Sequence, residues 1–143
     1  MRKKLLVVLA ASSMLFGGPA AAAKLDPGLH DALLKTAAVY AGDRSLIFYC
    51  LRKSERTTSV LYAGIHLDLA YTLQIMTTAG AEPLQRAQLI EAVWRNVRPA
   101  RPEEDDPRLN ANCATADVEK SLEQLKGVGT PLFMRSPFEK LRP

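Results

Sequence analysis

Two histidines, two cysteines and one acidic run are the residues of this 143-residue chain whose types could do chemistry. His30 sits near the start of the first apolar-periodic stretch with Asp31 beside it, and no H-x-x-x-H or H-E-x-x-H spacing occurs. His66 lies in Gly64-Ile65-His66-Leu67-Asp68, where a carboxylate two positions on points elsewhere on a helix. With no partner cluster, His66 reads as a packed or hydrogen-bonded histidine rather than a ligand or base. The run Glu103 to Asp106 reads as a solvated loop. There is no C-x-x-C-H for covalent haem, no G-x-S-x-G and no phosphate-binding glycine loop. Gly127-Val128-Gly129 lacks the rest of any nucleotide fingerprint. Met76 and Met134 are the type that can ligate haem in a bundle, but filling gaps in a core is their commoner use. No catalytic residue, metal site or cofactor is expected from these patterns.

The cysteines, Cys50 and Cys113, take their meaning from the compartment. Arg2, Lys3 and Lys4 precede the short apolar core Leu5 to Phe16, Gly17-Gly18-Pro19 breaks it, and Ala20 to Ala23 are small. That is the layout of a secretory signal peptide over 1–23, too short to span a bilayer. No cysteine follows the apolar core, so no lipid anchor is indicated, and cleavage at Ala22 or Ala23 leaves a single domain over 24–143 with no stable membrane anchor. The expected location is periplasmic or secreted. In such an oxidising compartment two cysteines predict one structural disulfide, Cys50–Cys113. Cleavage also removes three of the 19 basic residues against 15 acidic ones, so the net charge falls from +4 to +1. The basic pI of about 9.2 therefore belongs largely to the leader, and a nucleic-acid partner is not expected.

The elements that must bring the cysteines together read as helices. Asp26-Pro27 supplies an N-cap and a proline at the first helical position, and Leu29, Leu33, Ala37, Tyr40 and Ala41 form one face. Gly42 suits a C-terminal cap, and Asp43 can start a second helix carrying the apolar run Leu46 to Leu51. Thr57, Thr58 or Ser59 can cap a third, with Leu61, Ile65, Leu69, Leu73 and Met76 on one face and Gly80 at its end. Leu67, Tyr71 and Ile75 widen that stripe, which predicts neighbours on two sides and a central place in the bundle. Glu82-Pro83 starts a fourth helix with Leu84, Ala87, Ile90, Val93, Trp94 and Val97 facing one way, and Pro99 stops it. An exposed loop is expected over 99–106. Asp106-Pro107 then opens a helix through Cys113 toward Leu125, continuous or re-initiated at Thr115 or Asp117, and ended by Gly127 and Gly129. The run Leu46 to Leu51 is apolar on every side, so its period alone fits a buried strand as well, but its helical neighbours favour a helix. There is no alternating βαβ pattern and no spaced series of strand-length runs. The fold class is all-α: a small four- or five-helix bundle with one disulfide and an extended C-terminal tail, 127–143.

Prolines at 131, 137 and 143 keep that tail from continuing as α-helix, yet Leu132, Phe133, Met134, Phe138 and Leu141 give it apolar weight. Either it packs across the bundle as core, or part of it is a contact surface. Phe133, Arg135 and Phe138 are the candidate partner-contact residues, since aromatics and arginine are enriched at interfaces.

The order of an export leader, a helix ending in Cys50-Leu51-Arg52-Lys53, two further helices and Cys113 near the start of a last helix resembles periplasmic immunity proteins of type VI secretion amidase effectors. The resemblance implies a helical, disulfide-linked protein that covers an enzyme's active site. It rests on cysteine spacing and helix order, and no inhibitory loop carries over. The expected function is thus a noncatalytic protein-binding module of the periplasm with an unknown protein partner, an immunity or inhibitor type being one form. A small metal or haem carrier, or a hydrolase with a site not visible in sequence, are the alternatives.

Overall fold

A computed structural model describes residues 24–115 and 130–143. The expected leader, the stretch Val118 to Leu125 and the terminating Gly127 and Gly129 lie outside the described residues. Among the described residues four α-helices occur in the order α1 (Pro27–Cys50), α2 (Glu55–Thr78), α3 (Pro83–Asn96) and α4 (Pro107–Thr115), with two 3-10 turns at Leu132–Met134 and Phe138–Leu141. There is no strand among the described residues, and the fold is a small all-helical bundle.

Each helix begins or ends where local chemistry dictates. The Asp26 carboxylate accepts the Leu29 amide at 2.9 Å and Pro27 opens α1. The start of α3 is a capping box, in which Gln85 Oε1 accepts the Glu82 amide at 2.9 Å. Asp106 caps α4 through the Arg108 amide at 2.8 Å. Gly80, at φ 86°, closes α2 in a Schellman turn: the Ala81 amide donates to the Met76 carbonyl at 2.9 Å and the Gly80 amide to Thr77 at 3.1 Å. α2 begins at Glu55, ahead of the three residues expected to cap it.

Two expectations about α1 and α2 are corrected. Gly42 and Asp43 do not separate two helices; α1 runs unbroken for 24 residues. A mid-helix glycine costs about 1 kcal/mol relative to alanine. Burial of Tyr40 and Ala41 before it and Ile47 and Phe48 after it offsets that cost. Asp43 is also engaged elsewhere, accepting from Arg135 Nη2 at 2.7 Å. The second correction is that α1, not α2, is the central helix. Leu33, Ala37, Tyr40, Ala41, Ile47, Phe48 and Tyr49 are all buried along it, against α3, α4, α2 and the tail. α2 buries Leu61, Ile65, Leu69 and Met76 but leaves Leu67 and Tyr71 in solvent. The widened stripe thus has a neighbour at Tyr71, which meets Phe133 of the tail at 5.6 Å, and stays open at Leu67.

The buried row of α3 is Leu89, Val93 and Val97, rotated from the expected face, with Leu84 and Ile90 exposed. The loop of 99–106 is mostly exposed and is ordered by its own charges. Arg98 Nη2 donates to Glu104 at 2.9 Å and the Arg101 amide donates to Glu104 at 3.0 Å. Cys50 and Cys113 are bonded, with Cα atoms 5.5 Å apart, which ties the end of α1 to α4.

Candidate protein-binding face and the ionic cluster between α1 and α2

α1 and α2 are pinned by a polar cluster that no sequence motif announces. Tyr40 Oη donates to Asp68 Oδ2 at 2.6 Å, and Arg44 Nη2 donates to the same oxygen at 3.2 Å. Tyr40 and Arg44 stand four apart on α1, so they share a face, and the Arg44 guanidinium lies 4.7 Å from the Tyr40 ring centre. Arg135 approaches the same ring from the tail at 5.5 Å while its Nη2 bonds Asp43. Tyr40 and Arg44 are buried, and Asp68 nearly so. A buried ion pair stabilises little relative to an apolar pair, but removing one partner strands the other. The cluster therefore sets how α2 sits on α1 more than it adds stability.

Burial pushes the Tyr40 phenol far above its ordinary value; Arg44 opposes the shift, and Asp68 adds to it. A raised pKa in the folded state leaves stability intact below the unfolded value near 10 and erodes it as pH climbs above that value. Each further pH unit should cost about 1.4 kcal/mol through this group. Denaturant midpoints between pH 7 and 11 should fall more steeply for the wild type than for Tyr40→Phe. Parallel slopes would count against the assignment.

The two histidines are accounted for separately. His30 Nε2 donates to the Gln85 carbonyl at 3.2 Å, linking α1 to α3. His66 is exposed and packs 4.9 Å from the Trp94 ring, which continues through Tyr62 at 6.1 Å to Phe48 at 4.8 Å from Tyr62. Among the described residues no group of three or more His, Cys, Asp or Glu is placed to hold a metal ion. Met76 is in the core and Met134 is exposed.

A cleft of about 150 Å³ opens between α1, the 98–104 segment and α4, floored by Gly42, Leu46, Ala100 and Leu109. Its polar lining is already engaged. Ser45 Oγ accepts the Arg98 amide and donates to backbone carbonyls, Tyr49 Oη bonds Asn110 and the Asp106 backbone, and Arg98 pairs with Glu104.

The tail residues expected at a partner contact divide. Phe138 is 0% exposed, inside the core beside Leu132, out of a partner's reach. Arg135, 14% exposed at its side chain, is held by Asp43 and by the Thr130 carbonyl at 2.7 Å. Phe133 is half-buried between Tyr71, 5.6 Å away, and Arg142, 5.2 Å away. The tail's turns thus border α2 at Tyr71.

What remains open is the outer face of α2. Leu67 is 62% exposed, Tyr71 56% and Val60 38%. From Thr58 to Thr78 the only charged residue is Asp68, which is committed to Arg44. The outer face thus carries no Lys, Arg, Asp or Glu for about 30 Å of helix. The signal was present in the sequence as this absence of charge. Apolar exposure with charge depleted is the composition of an interface core.

Fold and face together define a small, disulfide-tied helical bundle with an uncharged apolar helix face. No known protein family, curated protein or solved structure matches the chain.

Proposed function

We propose that the protein is a noncatalytic protein-binding module of the periplasm, docking through the outer face of α2 where it borders the tail. The observation that carries this reading is the uncharged face bearing Val60, Leu67 and Tyr71. The leader-like first 23 residues and the Cys50–Cys113 bond support the compartment, since disulfides persist where the medium is oxidising. Among the described residues no helix is long and apolar enough to cross a membrane. The resemblance to immunity proteins points to the inhibitor form of this function.

The test is capture of periplasmic proteins on the immobilised oxidised protein, wild type against Leu67→Glu. Leu67 is a surface residue, so the variant should keep its stability within about 0.5 kcal/mol. Capture should be lost. Capture that survives Leu67→Glu would remove α2 as the docking face.

A further inference from the structure

Four residues along the open face of α2 have an unusual spacing. Val60, Gly64, Leu67 and Tyr71 follow one another at four, three and four, so they lie on one stripe, and the spacing reads the same from either end. Nothing among the described residues requires Gly64: a Cβ there would meet nothing within 4 Å. A glycine in a helix interior nonetheless costs about 1 kcal/mol against alanine. Its missing side chain leaves a shallow hole one turn before the exposed Leu67.

We propose that the occupant of this face is a second copy of the chain, its α2 lying antiparallel across the first about a twofold axis midway between Gly64 and Leu67. This deepens the protein-binding reading and rests on it. In that register Leu67 of each copy sits over Gly64 of the other, and Tyr71 meets Val60. Bulk faces space at the two Leu67–Gly64 pairs, and the long Tyr71 side chain meets the short Val60 at the outer two. A parallel arrangement would instead set Leu67 against Leu67 and Tyr71 against Tyr71, leave a void at Gly64, and align the two helix dipoles unfavourably. A twofold contact also places each surface against itself, so a charge near the axis would meet its own like charge. The face from Thr58 to Thr78 avoids this, because its one charge, Asp68, is turned to Arg44. Ala63 and Ala70 flank the stripe, both exposed, and let the backbones approach. A single helix pair buries less than the roughly 800 Å² per partner of a standard interface, so the dimer is weak and concentration-dependent.

Sedimentation velocity on the oxidised mature protein, from a few micromolar to several hundred, reads the association. Wild type is expected to pass from monomer to dimer across that range. Val60→Glu and Tyr71→Lys alone each bury an unmatched charge and should weaken the dimer by at least about tenfold. The double variant should recover it to within about threefold, because each introduced carboxylate at position 60 then faces an introduced ammonium at position 71 of the other copy. Within one chain those positions are about 16 Å apart along the helix, too far to pair. Melting curves and the Leu67→Glu variant, which does not touch the tail contact at Tyr71, separate lost association from lost folding. A wild type that stays monomeric, a dimer indifferent to these substitutions, or a double variant no better than the singles overturns the proposal. A monomer that still captures a different protein in a Leu67-dependent way overturns the second copy alone and leaves the binding face standing. A monomer with no Leu67-dependent capture removes both.

Discussion

Replacing Cys50 or Cys113 by serine is expected to cost about 2–5 kcal/mol, with the two single variants and the double variant equal. The bond joins positions 63 apart in sequence, and loop-closure entropy for a ring of that size contributes about 4 kcal/mol. The Cα separation of 5.5 Å is in the ordinary range, so no backbone movement is needed to form it. Its placement explains why the loss should register locally first. The bond fastens α4, described over Pro107–Thr115, to the last residue of α1. Besides Cys113, Asn110, which accepts from Tyr49 Oη at 2.9 Å, and the half-buried Leu109 help to hold it. Without the bond, amide exchange in α4 should accelerate before the α1–α3 core yields. Equilibrium denaturation of the four proteins, with thiol titration of the wild type, checks this. Free thiols in the wild type, or clearly unequal losses, would mean the pair is not a simple structural tie.

What is local is what the sequence shows most clearly. Asp26-Pro27, Glu82-Pro83 and Asp106-Pro107 all begin helices, and Gly80 ends one, because caps and turns involve residues a few positions apart. The cysteine count and the leader-like composition of the first 23 residues together predict the Cys50–Cys113 pairing that the structure shows. Gly42 misleads because a strong local stop signal is overridden by burial on both sides of it, which no window of sequence contains. Asp68 is passed over because its neighbour His66 points away; its real partners are 28 and 24 positions earlier. Leu67 and Tyr71 imply a second packing neighbour for α2; Tyr71 finds it in Phe133 of the tail, a contact too distant in sequence for periodicity to name, while Leu67 stays exposed. It is Leu67 that carries the functional reading.

Removal of Thr130 to Pro143 by truncation after Gly129 is expected to have the larger effect. The prolines keep this segment out of α-helix, yet it makes two 3-10 turns that place Leu132 and Phe138 at 0% exposure in the core. Substituting alanine for a buried phenylalanine costs about 3–5 kcal/mol and for a buried leucine about 2–5 kcal/mol. The Arg135–Asp43 contact and the packing of Phe133 on Tyr71 would go as well. These losses do not add simply, but together they rival the whole net stability of about 5–15 kcal/mol that a domain possesses. For a domain near 100 residues each kcal/mol moves the melting temperature by about 4–8 °C. The truncated protein should therefore melt more than about 15 °C below the full chain, or fail to fold. Phe138→Ala is the milder form and should show a large part of the loss with the tail still present. Met134→Ser, at a residue 49% exposed, should leave melting within about 0.5 kcal/mol of wild type. A truncation that melts with the full chain would mean that the tail is a surface feature and that the core closes without Phe138.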